Sequence, residues 1–260
     1  MTHPATRDTA AMCRLAMVCW ALAWAAPPVL AQNLEQLLDR HVETRGGSAA
    51  FQGFDTYRAT GVVALNAEMH GGQEIRGDFV LEWQRPGKIR MQFSLLGNDY
   101  VQATDGSDGW SSATGAPQAM NADELAALRD YGDLVVGPLA AADEQGLELR
   151  LVGKTEVEGT EAFQIEATWA DGRATTIFVE VVSALPMILR GDRLLHGNPV
   201  TMSRTVGDYK EIDGLLLPHY LAVANEAGIV LQTFSVHQIE LGTEIASDRF
   251  TSPATSGTSR

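Results

Sequence analysis

Three successive segments between residues 56 and 95 are apolar at every second position, and this alternation constrains the fold more than any other feature of the chain. Side chains alternate across a β-strand, so the pattern predicts antiparallel strands with one apolar and one polar face. The predicted apolar face contains Tyr57, Ala59, Gly61, Val63, Leu65, Ala67, Met69, Ile75, Gly77, Phe79, Leu81, Trp83, Ile89, Met91, Phe93 and Leu95. The predicted polar face contains Arg58, Glu74, Arg76, Asp78, Glu82, Lys88, Arg90 and Gln92.

Most of the remaining chain also has the pattern of short strands separated by hairpin turns. Two helices are expected. One follows Asn33 as N-cap and ends at Gly46-Gly47, and the other begins with the Asn121 and Glu124 capping pair and ends at Gly137-Pro138. Because so few helices are available, we expect a mainly β fold, a strongly curved antiparallel sheet whose concave apolar side receives the second helix as a lid.

Residues 1–31 have the pattern of a secretory signal peptide, with Arg7 and Arg14 before an apolar run and a small-residue cleavage site at Ala31. An uncleaved membrane anchor is the competing interpretation. Cleavage predicts a periplasmic protein whose folded domain spans residues 32–250 and whose Ser/Thr-rich tail, residues 251–260, is disordered. Both cysteines, Cys13 and Cys19, lie in the leader, so the exported chain has neither thiol nor disulfide.

The chain carries 19 Lys and Arg against 33 Asp and Glu, a net charge of −14. This balance argues against nucleic acid and anionic membrane surfaces, since both select basic patches.

Catalytic and metal-binding motifs are absent from the sequence. Gly-x-Ser-x-Gly, phosphate-binding glycine loops and His-Glu-x-x-His do not occur. The segment Asp105 to Gly109 resembles a calcium loop but lacks the downstream glutamate, and a tight turn is the simpler interpretation. The sequence therefore predicts a protein that is not an enzyme and has no cofactor or metal.

Three stretches resemble a known family of periplasmic proteins, the LolA-like outer-membrane lipoprotein-sorting proteins. The first runs from His41 through Gly47 to Gly61, the second joins Gln84 to Arg90 with Asp105 to Trp110, and the third runs from Tyr209 to His219. The similarity extends over roughly residues 33–250, mostly in turn signatures, which indicate fold better than cargo.

This resemblance implies an unclosed half-barrel with an α-helical lid that holds acyl chains against the inner face of the sheet. It also implies an arginine inside the barrel that latches the lid, but Arg58, Arg76 and Arg90 all fall on the polar face. The resemblance implies lipid or lipoprotein acyl chains as partners, and the departure at the arginine leaves an apolar metabolite as an alternative cargo. The expected groove consists of Val63, Leu65, Met69, Phe79, Leu81, Trp83, Met91, Phe93, Tyr100 and Trp110, closed by Leu125, Leu128 and Leu134.

Two other functions remain open at this stage. The apolar face could receive a strand or helix of an inner- or outer-membrane envelope protein, which would make the chain a structural or sensing module. An enzyme acting on lipids in the same barrel is the third hypothesis, and no nucleophile or metal spacing supports it.

Overall fold

The computed structural model describes residues 28–113, 115–140, 142, 146–170, 172–195 and 198–253, with side chains from residue 34 onward except those of Met69 and Leu195. The predicted signal peptide therefore lies almost wholly outside the described residues, as does most of the predicted tail. No helix in the described ranges is long and apolar enough to cross a membrane.

Thirteen strands form one antiparallel sheet. Their bounds are β1 Thr56–Leu65, β2 Ile75–Gln84, β3 Lys88–Leu95, β4 Asn98–Thr104, β5 Gly109–Ser112, β6 Gln118–Ala119, β7 Glu148–Val157, β8 Thr160–Thr168, β9 Ala174–Glu180, β10 Pro186–Leu195, β11 Asn198–Ile212, β12 Leu215–Asn225 and β13 Val230–Leu241. The strand order is β6-β5-β4-β3-β2-β1-β13-β12-β11-β10-β9-β8-β7. The sheet is not closed, because β6 and β7 are its two edges.

Within the described ranges, three α-helices can be given full bounds: α1 Pro28–Thr44, α2 Ser48–Gln52 and α3 Ala122–Gly132. Short 3₁₀ turns occupy Ala67–His70 and Ser247–Phe250. Helix α1 begins upstream of Asn33, so the expected N-cap lies inside it. Strand β1 ends at Leu65, so the alternation predicted to continue to Met69 stops earlier, at a 3₁₀ turn that Asn66 caps by accepting from the Glu68 N–H.

The chain starts in the middle of the sheet with β1 and builds outward to β6, and we call these strands the first arm. It then crosses to the far edge and returns through β7 to β13, the second arm. Helix α3 lies in that crossing and contacts both β4 and β10, which are seven positions apart in the strand order. In a flat sheet with strands about 4.8 Å apart these two strands would be roughly 34 Å from each other. A helix is about 10 Å wide, so the sheet must curve around α3, as predicted.

Two clusters of buried side chains occupy the concave side. The larger joins β1, β2, β3, β12 and β13 with α3 and the residues after it. The second packs Leu37 of α1 against strands β7 to β10 of the second arm, including Ile165 and Ile177. The concave face is therefore covered by two separate pieces, α1 over one arm and the α3 region over the rest.

The opposite, convex face is not uniformly solvent-exposed as the alternation predicted. The Glu82 side chain is fully buried, because Arg58, Arg90 and Arg249 surround its carboxylate with nitrogen to oxygen distances of 2.7–3.4 Å. Arg249 belongs to the C-terminal 3₁₀ turn, which folds over this face and buries Phe250. The prediction for Glu82 was wrong because strand alternation says nothing of a distant segment that covers the polar side.

Candidate functional site

The concave apolar face follows the strand register of the first arm. Ala59, Leu81 and Met91 form one row across β1, β2 and β3, and all three side chains are fully buried. In the next row Gly61 meets Phe79, and a Cβ at Gly61 would lie 2.9 Å from the Phe79 ring and 2.0 Å from the backbone oxygen of Ser235. Glycine is therefore required there for the close approach of ring and neighbouring strand.

The structure brings most of the predicted groove residues together. Val63, Phe79, Leu81 and Met91 are buried in the larger cluster, and Leu65, Trp83 and Phe93 pack against it. Tyr100 lies on the same face by register with Phe93, at an exposed position on β4. The side chain of Met69 lies outside the described residues.

Trp110 does not lie in the predicted groove. Its partner on β4 is Ala103, which pairs with Arg90 on β3, so Trp110 lies on the convex face with the Glu82 cluster. Its indole N–H donates to the backbone oxygen of Phe250 at 3.1 Å, under the C-terminal turn. The prediction failed because the tight turn between β4 and β5 hides the phase of the alternation.

The lid segment, which we define as residues 121–140, covers the first-arm part of the concave face. Its helix α3 begins with the predicted capping box, in which the Asn121 side chain accepts from the Asp123 and Glu124 N–H groups and the Glu124 carboxylate accepts from the Asn121 N–H. Leu128 is fully buried and Leu134 nearly so, both within the larger cluster. Leu125 is half-buried on the same side, near Gly109. The groove is thus closed by the chain's own residues.

Arg45 holds the segment that follows α3. It is 2% exposed, and its guanidinium donates to the backbone oxygens of Val135 at 2.6 Å, Val136 at 2.5 Å and Leu216 at 3.0 Å. The group also stacks over the Phe51 ring, 4.9 Å from its centroid. Burial lowers the pKa of Arg45 to about 10. Arg45 directly follows α1, so this buried cation connects the end of α1 to backbone carbonyls of β12 and of the lid segment.

A second set of polar contacts fixes α3 itself. Asp130 accepts two hydrogen bonds from Arg193 of β10, at 2.6 and 3.1 Å. Arg204 of β11 donates to the Asp130 backbone oxygen at 3.0 Å and lies 3.5 Å from its carboxylate. All three side chains are at most 14% exposed. The end of α3 is therefore bound to the second arm by an ion cluster beneath the lid.

Two tyrosines complete the attachment of the lid to the central strands. Tyr57 of β1 donates to the Gly132 oxygen at 2.7 Å, and the hydroxyl of Tyr131 accepts from Gln232 of β13 at 2.6 Å. Burial raises the pKa of both tyrosines. Each of these hydrogen bonds satisfies a polar group inside an apolar cluster. Both bonds would have to break for the lid to open.

A cavity of about 590 Å³ remains between α2, the β2–β3 turn, the lid segment and the β8–β9 turn. Phe51, Trp83, Ile89 and Trp169 give it an apolar wall, and Arg129 and Asp130 reach it from α3. Its volume lies within the roughly 300–1,000 Å³ that small-molecule sites occupy. The concave side is therefore not packed solid, although the predicted groove itself is covered.

Comparison with known proteins indicates the fold. No family model matches this sequence, and no curated protein matches it. Solved structures that match along most of the chain include three with TM-scores above 0.5. They are a DUF1329 family protein from Desulfovibrio piger (13% identity, 84% of this chain and 96% of that one, TM-score 0.57), a LolA superfamily protein from Nitrosomonas europaea (12%, 84% and 96%, 0.55) and an outer membrane lipoprotein-sorting protein domain from Vibrio parahaemolyticus (12%, 83% and 94%, 0.55).

The fold is LolA-like. This confirms the resemblance seen in the turn signatures and the expected open, mainly β architecture with a helical lid. Identities of 12–13% establish the fold alone.

Sequence reasoning missed Arg45, Arg193 and Arg204. Arg45 lies inside a stretch that carried the LolA-like resemblance, but a Thr-Arg-Gly-Gly helix end looks like a solvent-exposed C-terminus. The available sequence signal was its position just before the Gly-Gly pair. In the structure a Cβ on Gly46 would lie 2.2 Å from the Gly214 oxygen, so this turn packs tightly against the β11–β12 hairpin.

Proposed function

We propose that this protein is a carrier or binding protein for acyl chains of lipids or lipoproteins in the bacterial periplasm, and that the acyl chain lies on the concave face beneath the displaced lid. One observation carries the proposal: an apolar face of the sheet is covered by a separate segment that hydrogen bonds and an ion cluster hold in place. In this proposal residues 1–31 are a cleaved signal peptide and residues 32–250 form the binding domain.

The lid supplies what an acyl chain would replace. Leu128, Leu134 and Val135 are buried against the sheet, and their burial contributes free energy in proportion to the apolar area covered. Each methylene of a bound chain contributes about 0.8 kcal/mol in the same way. Because binding replaces the apolar contacts of the lid with those of the acyl chain, the net affinity for the acyl chain is moderate. A carrier that must release its cargo requires such a balance.

The existing cavity gives the acyl chain a place to enter. It lies beside Trp83 and Ile89 at one end of the larger cluster, and Gly132 and Val136 of the lid segment line it. We propose that the hydrocarbon enters there and extends along the face as the lid moves away. Val63, Leu65, Phe79, Leu81, Met91 and Phe93 would then contact it, with Met69 and Tyr100 toward the far end of the strands.

A reversible lock on the lid tests this function. A Cβ built on Gly132 lies 3.0 Å from Ile89 Cγ1, so the two Cβ atoms are at most about 4.5 Å apart, within disulfide range. The test protein carries Gly132→Cys and Ile89→Cys, with Cys13 and Cys19 replaced by serine. We expect binding of a fluorescent acyl probe to fall at least about tenfold on oxidation and to return on reduction.

The same molecule serves as its own control, because oxidised and reduced forms differ by one bond. The single Gly132→Cys variant shows any effect of the oxidant alone. Equal probe binding in both redox states, with the disulfide verified by mass, would show that the lid does not control access. Failure of the unmodified protein to bind any acyl probe would reject acyl binding altogether.

A further inference from the structure

The lid carries a carboxylate at a position where helix energetics oppose one. Asp130 lies in the last turn of α3, where the partial negative charge of the helix end disfavours an acidic side chain. Its carboxylate is nevertheless largely buried and held by the fork of Arg193 and by Arg204. The two guanidinium groups on the concave face are what stabilise an anion there.

Arg204 is not fully satisfied by the lid. Its second terminal nitrogen, Nη2, is buried and has no hydrogen-bond partner among the described residues. Asp130, Arg204 and Arg45 together line a small cavity of about 30 Å³. The aspartate therefore leaves donor capacity unused at this point, and an acidic head group that is not tethered to α3 could use it.

The ion cluster also adjoins the larger cavity. Asp130 and Asp133 line both cavities, so hydrocarbon in the 590 Å³ cavity would end beside the Asp130 carboxylate. Arg129, also on the wall of the larger cavity, adds a further positive charge next to it and donates to the Gly106 oxygen at 3.4 Å. In a chain of net charge −14, this local group of arginines is complementary to an anion.

We propose that the cargo is an amphiphile with an acidic head group, phosphate or carboxylate, and that this head group replaces Asp130 on Arg193 and Arg204 when the lid opens. The inference rests on the proposed acyl binding and adds the chemistry of the head group. A neutral amphiphile covering the same face would desolvate two guanidinium groups without providing a charged partner, which is unfavourable. The lid aspartate is thus an internal competitor that the cargo must displace.

Amphiphiles with one hydrocarbon chain and different head groups test this proposal. Dodecyl phosphate, dodecanoate and dodecanol are titrated below their aggregation concentrations and followed by calorimetry. We expect both anions to bind at least about tenfold more tightly than the alcohol, since one charge-assisted hydrogen bond contributes about 1.5–3 kcal/mol. The order of the two anions assigns phosphate or carboxylate as the preferred head group.

Four variants locate the effect. Arg193→Gln and Arg204→Gln should each reduce the preference for dodecyl phosphate over dodecanol to within about twofold, since the charged donor is lost. Arg150→Gln, at an exposed pair with Glu166 on the β7 edge, is the matched control and should keep the full preference. Asp130→Asn should raise the affinity for dodecyl phosphate, and this ligand should raise its melting temperature more than that of the unmodified protein.

The outcomes separate this inference from the function on which it rests. Equal binding of all three amphiphiles, or a preference that survives both arginine substitutions in folded protein, overturns the head-group assignment and leaves acyl binding intact. If none of the three amphiphiles binds, the acyl function itself is rejected. If one arginine variant does not fold, the other variant and Asp130→Asn still decide, and an unchanged affinity in Asp130→Asn contradicts the competitor role.

Discussion

His41 of α1 is a buried neutral group that couples the fold to pH. Its Nδ1 atom lies 2.8 Å from the Ala184 oxygen, and its Nε2 atom is buried with no partner among the described residues. Burial, followed by the neighbouring Arg45 charge, lowers the pKa of His41 to about 4 from 6.5, although the bond to Ala184 opposes this. Protonation is therefore disfavoured in the folded state, and the stability that the neutral ring contributes is present above pH 6.5 and lost as the pH falls toward 4.

We expect this residue to account for about 3 kcal/mol of the loss in unfolding free energy between pH 7 and pH 4. His41→Asn keeps a donor for the Ala184 oxygen and removes the titration. Urea unfolding at both pH values measures the difference. An identical pH dependence in the two proteins would show that His41 does not titrate differently on folding.

Arg45 connects the lid segment to β12 through one side chain. Arg45→Leu leaves the Val135, Val136 and Leu216 oxygens without their donor, and a buried unsatisfied acceptor costs about 1–3 kcal/mol. We expect hydrogen exchange in the lid segment to accelerate at least about tenfold while the β7 to β9 amides remain protected. Arg40→Leu, at an exposed position in α1, is the control. Unchanged exchange in the lid of Arg45→Leu would mean that the arginine is not a latch.

At the scale of elements, local signals predicted what local interactions determine. The period-two pattern predicted β1 to β3 and their shared face, and the Asn121 and Glu124 pair predicted the start of α3. The pairing of β1 with β13 was not predictable, because contacts between strands so distant in sequence leave no local pattern. Helix α3 ends at Gly132, earlier than the predicted Gly137-Pro138 break, at the residue whose backbone oxygen accepts a tertiary hydrogen bond from Tyr57. The site arginines were missed for the same reason, since their burial requires the lid and the second arm together.

The capping box of α3 gives a graded way to loosen the lid. Asn121→Ala removes the acceptor for two N–H groups and should cost about 1 kcal/mol. If opening starts from this helix end, acyl-probe association should become about fivefold faster with unchanged circular dichroism of the sheet. Glu124→Gln preserves the reciprocal bond and should bind at the original rate. A slower or unchanged rate in Asn121→Ala would place the opening motion elsewhere.

At the scale of the whole molecule, the two faces of the sheet have separate tasks. The concave face carries the lid, the cavities and the arginine contacts, whereas the convex face is stabilised by Glu82 and three arginines under the C-terminal turn. In the proposed function, this division allows the lid to move away while the sheet keeps its structure. It also predicts that stability and acyl binding can be altered independently.

Glu82→Gln tests that independence. Removing the one carboxylate leaves three arginines around a neutral amide, and we expect a loss of about 3 kcal/mol in unfolding free energy. Acyl-probe affinity should stay unchanged, because the substitution lies on the face opposite the lid. Glu74→Gln at an exposed pair with Arg76 should change neither quantity measurably. A parallel loss of affinity in Glu82→Gln would show that the two faces are coupled.

Native mass spectrometry of the protein isolated from a bacterial envelope tests the central claim most directly. We expect a population heavier than the bare chain, from which extraction releases an acyl-bearing molecule. In the variant with cysteines at Gly132 and Ile89, this heavier population should be absent when the pair is oxidised before exposure to lipid. Only the bare mass, together with a concentration-dependent complex with an envelope protein, would contradict acyl binding and favour a partner-binding module.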